Sequence, residues 1–114
     1  FKKILETENS KEEIIIGTIA YNLKINYFDS EDLSALYTLE KNESQEGNNL
    51  NIGINIKHHI FIEYPENIKD ESKFNMIIEF VKCLVKSEIK ATNGLNKART
   101  VRDAFNLYAS TLKL

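Results

Sequence analysis

Hydrophobic and polar residues alternate along two stretches of the chain, which is the pattern of a strand with one buried face. The first stretch covers residues 13–28 and alternates strictly from Tyr21 onward. Gly17 lies in its apolar half and predicts a bulge or bend. The other stretch, residues 51–64, has an isoleucine at most of its even positions. Each stretch predicts a strand of an antiparallel sheet.

The segment between these stretches fits two structures. In residues 31–41, Leu33, Leu39 and their neighbours alternate as in a strand, but Ser30 followed by acidic residues also suits a capped helix. We favour the strand. The polar segment 42–49 then predicts a hairpin loop that leads into the last strand.

From Asp70 the hydrophobic period changes to three and four residues, which is typical of an amphipathic helix that ends at Asn93-Gly94. The apolar positions of this helix are Phe74, Ile77, Ile78, Val81, Leu84, Val85 and Ile89. A second helix is predicted from its own inner face, which consists of Val101, Ala104, Phe105, Tyr108 and Leu112. The sequence thus predicts a single α+β domain over residues 1–114, an antiparallel β-meander of about three strands followed by two C-terminal amphipathic helices.

Composition places the chain among ordinary globular proteins, with 42% hydrophobic and 28% charged residues. Its single cysteine, Cys83, excludes an intrachain disulfide and favours a reducing compartment, so we expect a cytoplasmic protein. No apolar run approaches the roughly 18 residues of a membrane-spanning helix. The abundance of Asn, Ile and Lys is typical of an AT-rich genome, bacterial or phage.

The net charge of −2 divides unevenly, because residues 1–56 are acidic and residues 57–114 are basic. Within the basic half, Lys97, Arg99 and Arg102 form a candidate basic patch that would suit nucleic-acid phosphates. Nucleic-acid domains are usually strongly basic throughout, so a solvated surface is the favoured interpretation. A weak nucleic-acid-binding module is the third-ranked hypothesis.

The adjacent histidines His58 and His59 are the most conspicuous chemical groups in the sequence. On a strand they would point to opposite faces, so they could not act on one metal or substrate. We expect His58 to face the core with a hydrogen-bond partner and His59 to face solvent. Cys83 lies beside the apolar side of a helix and predicts a buried, inert thiol. The sequence predicts no catalytic, cofactor-binding or metal-binding residue, and hence no enzyme.

Surplus hydrophobicity is the feature that points toward function. Met76, Phe80 and Cys83 give the helix after Asp70 a second apolar stripe, and Phe61 lies on the otherwise polar side of the predicted last strand. Apolar surface of this kind usually contacts another polypeptide. These residues, Phe61, Met76, Phe80 and Cys83, form the candidate protein interface, and we expect a homo-oligomer.

The order of the predicted elements resembles the SecB-type export chaperones. The resemblance rests on "LNIGINIKHHIFIEY" at 50–64, "IIEFVKCLVKSEIKATNG" at 77–94 and "RDAFNLY" at 102–108. The family's proline-rich loop between helices is not matched by "LNKARTV" at 95–101. The resemblance implies an antiparallel sheet backed by helices, assembly into dimers or tetramers, and binding of unfolded chains without catalysis. The alternative is a small inhibitor or immunity-type partner protein.

Overall fold

The alternating sequence between residues 11 and 55 forms four strands of one mixed sheet, and helices follow it. The structure is a computed structural model that describes residues 11–31, 35–45, 47–93 and 101. Its strands are β1 (Lys11–Ile16), β2 (Ile19–Phe28), β3 (Tyr37–Ser44) and β4 (Gly47–Asn55). Its helices are α1 (His59–Ile62), α2 (Glu66–Lys69) and α3 (Glu71–Thr92). The predicted α+β class is therefore confirmed.

The order of strands in the sheet is β1-β2-β4-β3. The pairs β1/β2 and β3/β4 are antiparallel, whereas β2 and β4 are parallel. The prediction of an antiparallel meander of three strands is wrong, because β4 inserts between β2 and β3. The SecB resemblance implies an antiparallel sheet, and the parallel pairing of β2 with β4 differs from that implication as well.

Gly17 explains the additional strand. The predicted strand over 13–28 is in fact a hairpin, since Ile16 pairs with Ile19 and only Gly17 and Thr18 lie between them. Gly17 has a φ of 66°, and Thr18 has no positive φ. A two-residue turn with glycine at the first central position matches type II′, whose twist suits a hairpin. The glycine thus marks a chain reversal rather than the predicted bulge.

One face of the sheet carries the apolar side chains and is buried. Its buried members are Ile14, Ile16, Tyr21, Leu23, Leu50, Ile52 and Ile54. Register explains their common face, because Ile14 lies opposite Tyr21, and Leu23 opposite Leu50. Alternation in the sequence therefore produced the apolar face as expected. Tyr21 is the one member of this set with a polar side-chain atom. Its hydroxyl is buried and lacks a hydrogen-bond partner among the described residues.

The last strand is shorter than predicted, because β4 ends at Asn55 and not at Tyr64. The side-chain oxygen of Asn55 accepts a hydrogen bond from the backbone N–H of Lys57 (3.1 Å), which turns the chain out of the sheet. His58 then caps α1, accepting from the backbone N–H of Ile60 at Nδ1 (3.1 Å). The strand therefore ends where these two side chains bind the backbone.

The long helix α3 begins at Glu71, directly after Asp70, as the change of period predicts. Residues up to Asp70 form one compact unit, and residues from Glu71 onward form a second. The single domain over 1–114 stays a prediction. Of the predicted second helix, Val101 is helical, and its other inner-face positions lie outside the described residues.

Candidate protein-binding surface

Three large apolar side chains on α3 are exposed to solvent. Met76 and Phe80 are each 38% exposed, and Leu84 is 40% exposed. Their spacing of four residues places them in one line along the helix. We call this line the helix stripe. Its length is about 12 Å, from eight residues at about 1.5 Å each.

The face of α3 beside the helix stripe is buried and apolar. Its members are Phe74, Ile77, Ile78, Val81, Val85 and Ile89. This face is the buried apolar side expected of an amphipathic helix. Between the two faces Lys82 and Glu79 form an ion pair of 3.3 Å. The helix stripe adjoins the buried face at Leu84, which lies seven residues, or about two turns, after Ile77.

Toward its C-terminal half the side of α3 that carries the helix stripe changes character. Cys83, Ser87 and Ala91, again four residues apart, are buried within the chain. The Ser87 hydroxyl donates a hydrogen bond to the Cys83 carbonyl (2.7 Å), so its burial leaves no unpaired group. One side of the helix thus passes from exposed large residues to buried small ones.

The structure separates the four predicted interface residues into two pairs. Met76 and Phe80 lie on the surface, where a partner could contact them. Phe61 and Cys83 are each only 2% exposed, so neither can contribute surface to an interface without rearrangement. Phe61 was expected on the polar side of a strand, but it is the buried residue of α1. The interface itself stays a prediction.

Sequence reasoning missed Leu84 as a surface residue. It assigned Leu84 to the buried face, because the position fits the helical period of that face as well as the stripe. The spacing of Met76, Phe80 and Leu84 is the signal that could have identified it, since four-residue steps keep side chains aligned on one side of a helix.

Cys83 has no features of a reactive thiol. Burial raises the pKa of the Cys83 thiol above its ordinary value; the Lys86 ammonium opposes this rise and the Glu79 carboxylate adds to it. A raised pKa keeps the group as a neutral thiol at neutral pH, whereas nucleophilic attack requires the thiolate. The structure thus places Cys83 in the buried, protonated setting that the sequence predicts.

The two histidines serve local structure. His58 is half-buried and caps α1, so it has the predicted hydrogen-bond partner, although it lies in a turn and not on a strand. His59 is exposed, as predicted, and its Nδ1 lies 3.3 Å from Glu63 Oε1. Among the described residues no group of three or more His, Cys, Asp or Glu side chains could hold a metal ion.

The candidate basic patch, which consists of Lys97, Arg99 and Arg102, lies outside the described residues.

Within the described part of the chain, no helix is both long and apolar enough to span a membrane.

Comparison with known proteins adds no family to this description. The chain matches no protein-family model, no curated protein and no solved structure.

Proposed function

We propose that the chain is a non-enzymatic polypeptide-binding protein whose contact surface is centred on the helix stripe. The observation that carries this proposal is the exposure of Met76, Phe80 and Leu84 in one line on α3. Helices that dock into a groove of another protein use anchors with this spacing. Aromatic residues and methionine are also enriched at protein interfaces.

Burial on binding would be favourable at all three positions. Moving a large apolar side chain completely out of water contributes about 1.5–3 kcal/mol, and each of these residues still exposes more than a third of its surface. A stable interface needs about 800 Å² on each partner. Three residues supply the centre of such an interface, and exposed charged residues near the stripe, including Lys73 and Glu88, supply part of its rim.

The shape of the helix stripe favours one specific partner over many unfolded clients. It is one residue wide, and charged residues lie near it, including Lys73 and Glu88. A chaperone that accepts unrelated sequences needs a broad apolar groove that can repack around them. We therefore favour an inhibitor or immunity-type partner protein, and the SecB-like chaperone is the alternative. A second copy of the chain is one candidate partner.

A co-purification experiment with matched variants tests the proposal. Phe80→Asp places a charge in the centre of the helix stripe, whereas Ile15→Asp does the same at an exposed apolar residue of β1 that is 65% exposed. We expect the wild-type chain and Ile15→Asp to retain one partner at fixed stoichiometry. Phe80→Asp should weaken that binding at least about tenfold, the loss typical of a central contact residue.

Two controls make the result decisive. Circular dichroism must show that both variants stay folded, and sedimentation shows whether the partner is a second copy of the chain. If the wild-type chain is monomeric and both variants bind partners equally well, the helix stripe is not the contact surface. If the wild-type chain instead suppresses aggregation of several unrelated unfolded proteins, and Phe80→Asp does not, the chaperone alternative is correct.

A further inference from the structure

The polar face of the sheet contains a depression of about 430 Å³ that is lined by basic and carboxamide side chains. We call it the carboxamide depression. Its polar lining residues are Lys11, Asn22, Lys24, Asn42, Asn49 and Asn51. The volume lies in the range of small-molecule sites, and the lining offers hydrogen bonds and positive charge instead of apolar contact.

Strand register brings these side chains together from four strands. Asn22, Asn49 and Asn42 are successive register partners across β2, β4 and β3. In the next row Lys24 of β2 lies opposite Asn51 of β4. Residues that lie opposite each other in a sheet project from the same face. The central part of the polar face is therefore a two-row array of carboxamides with a lysine beside it.

The second lysine makes the array unusual. Lys11 of β1 is the register partner of Lys24, so two ammonium groups project from directly opposite positions. Like charges at such positions repel each other and destabilise the strand pair. Among the described residues, neither lysine has a carboxylate within 4 Å, although the ion pairs Lys41–Glu43 and Lys82–Glu79 do form. An anion between Lys11 and Lys24 would offset this repulsion.

The carboxamides of the depression have donors to spare. Asn22 donates to Asn49 Oδ1 at 3.5 Å, a distance at the outer limit of a hydrogen bond. Asn51 is half-buried, and within the described part of the chain its side chain forms no hydrogen bond. Each carboxamide carries two N–H donors. Carboxamide donors beside an ammonium group are the ligands that a phosphate or similar oxyanion requires.

Two acidic residues stand at the borders of the array. Glu13 lies opposite Asn22, and Glu40 lies opposite Asn51. Glu40 accepts a hydrogen bond from Asn42 (3.4 Å), and neither glutamate lines the depression. These carboxylates would repel a long polyanion that extends past the depression, but they leave room for a compact one.

We propose that the carboxamide depression binds a small oxyanion of the phosphate class, with Lys11 and Lys24 supplying the charge and Asn22, Asn49 and Asn51 the hydrogen bonds. The ligand is inorganic phosphate or the phosphate group of a small organic molecule. If the ligand is an organic phosphate, the remaining carboxamides would bind the hydroxyl groups of the organic part. This site lies in the sheet, on different residues from the helix stripe.

The test is an NMR titration of the full chain with inorganic phosphate at constant ionic strength. Lys24→Gln removes one charge from the site, and Lys57→Gln removes one from an exposed lysine after β4. Asn51→Asp changes a donor into a carboxylate, and Asn75→Asp does the same at an exposed position of α3. All four positions are outside the buried core, so the variants should fold.

We expect saturable shifts at the backbone and carboxamide resonances of Asn22, Lys24, Asn49 and Asn51. Lys24→Gln and Asn51→Asp should each weaken binding at least about tenfold, the effect of losing a charge-assisted hydrogen bond. The controls Lys57→Gln and Asn75→Asp should bind as the wild type does. Tighter binding of glycerol 3-phosphate than of inorganic phosphate would identify a phosphate monoester as the ligand class, and equal affinity would identify the free ion.

Three results would overturn the proposal. One is the absence of saturable shifts, and another is an equal loss of affinity in Lys24→Gln and Lys57→Gln, which would mean general charge screening. The third is displacement of phosphate by a single-stranded oligonucleotide at far lower concentration, because the surface would then serve nucleic acid.

Discussion

Asn51 and Asn55 lie on the same strand and on the same face of the sheet, four residues apart, but the chain uses their carboxamides in opposite ways. Asn55 is fully buried and forms four hydrogen bonds with the backbone. Asn51 is half-buried and lines the carboxamide depression. The first side chain holds the fold together, whereas the second leaves its hydrogen-bonding groups available to a ligand.

The connection between β2 and β3 produces this difference. At Asn55 it approaches the strand, and the carboxamide accepts from the N–H groups of Ser30 and Lys57 and donates to the carbonyls of Ser30 and Ala35, at 3.1–3.3 Å. These bonds use both donors and both acceptor positions of the carboxamide. At Asn51 the side chain forms no hydrogen bond with this connection within the described part of the chain. A polar side chain in a strand therefore stabilises the fold when a connecting segment hydrogen-bonds to it. Without such a segment, its hydrogen-bonding groups can bind a ligand.

The largest effect is expected from Asn55→Ala. Removal of the carboxamide leaves buried backbone groups without partners, and we expect the free energy of unfolding to fall by about 3 kcal/mol. Asn55→Asp preserves the shape and the acceptors but loses both donors to Ser30 and Ala35. It should also destabilise, since it buries a carboxylate. Urea unfolding measures both.

Asn51→Ala is the matched control for that experiment. It removes the same group from the same face, and we expect a change within about 0.5 kcal/mol because Asn51 supports no buried backbone group. Equal losses for Asn51→Ala and Asn55→Ala would mean that the distinction between the two ends of the face is wrong.

A smaller effect is expected at Gly53, which lies between the two asparagines. A Cβ atom built on Gly53 would come within 2.6 Å of Thr38 Oγ1 and 3.1 Å of the Phe28 ring. Alanine at this position must displace one of them, so we expect Gly53→Ala to destabilise by about 1 kcal/mol despite the usual gain from replacing glycine in a strand. Thermal unfolding of the variant measures this.

The double variant Gly53→Ala/Thr38→Ala identifies the cause. Thr38→Ala removes the nearest atom, so the two changes together should cost less than the sum of the single changes. Strict additivity would place the strain at Phe28, whose ring covers Gly53 at the Asn55 end of the face.

Local structure was predicted where a local pattern decides it. The alternation from Tyr21 to Phe28 predicted β2, and the change of period at Asp70 predicted α3. The strand order could not be predicted, because the parallel pairing of β2 with β4 depends on contacts between residues about 27 positions apart, such as Asn22 and Asn49. Alternation alone does not specify which strand lies beside which.

The end of β4 shows how side-chain chemistry overrides a pattern. The hydrophobic alternation continues past Asn55 to Tyr64, but the Asn55 and His58 side chains bind backbone N–H groups two residues ahead. Such bonds compete with the hydrogen bonds of a sheet. Two of the four candidate interface residues, Met76 and Phe80, could be predicted to be exposed from helical spacing alone. The burial of Cys83 and Phe61 could not be predicted, because it depends on the tertiary fold.

The smallest effect is expected in the depression itself, at Asn49. Its carboxamide oxygen accepts only the 3.5 Å bond from Asn22 among the described residues. Threonine is a better strand former than asparagine, so Asn49→Thr should leave the free energy of unfolding within about 0.5 kcal/mol of the wild type or raise it slightly. Urea unfolding in a phosphate-free buffer measures this change. The same variant should weaken phosphate binding, because it removes two N–H donors from the site. A loss of stability above about 1 kcal/mol would instead assign Asn49 the structural role of Asn55.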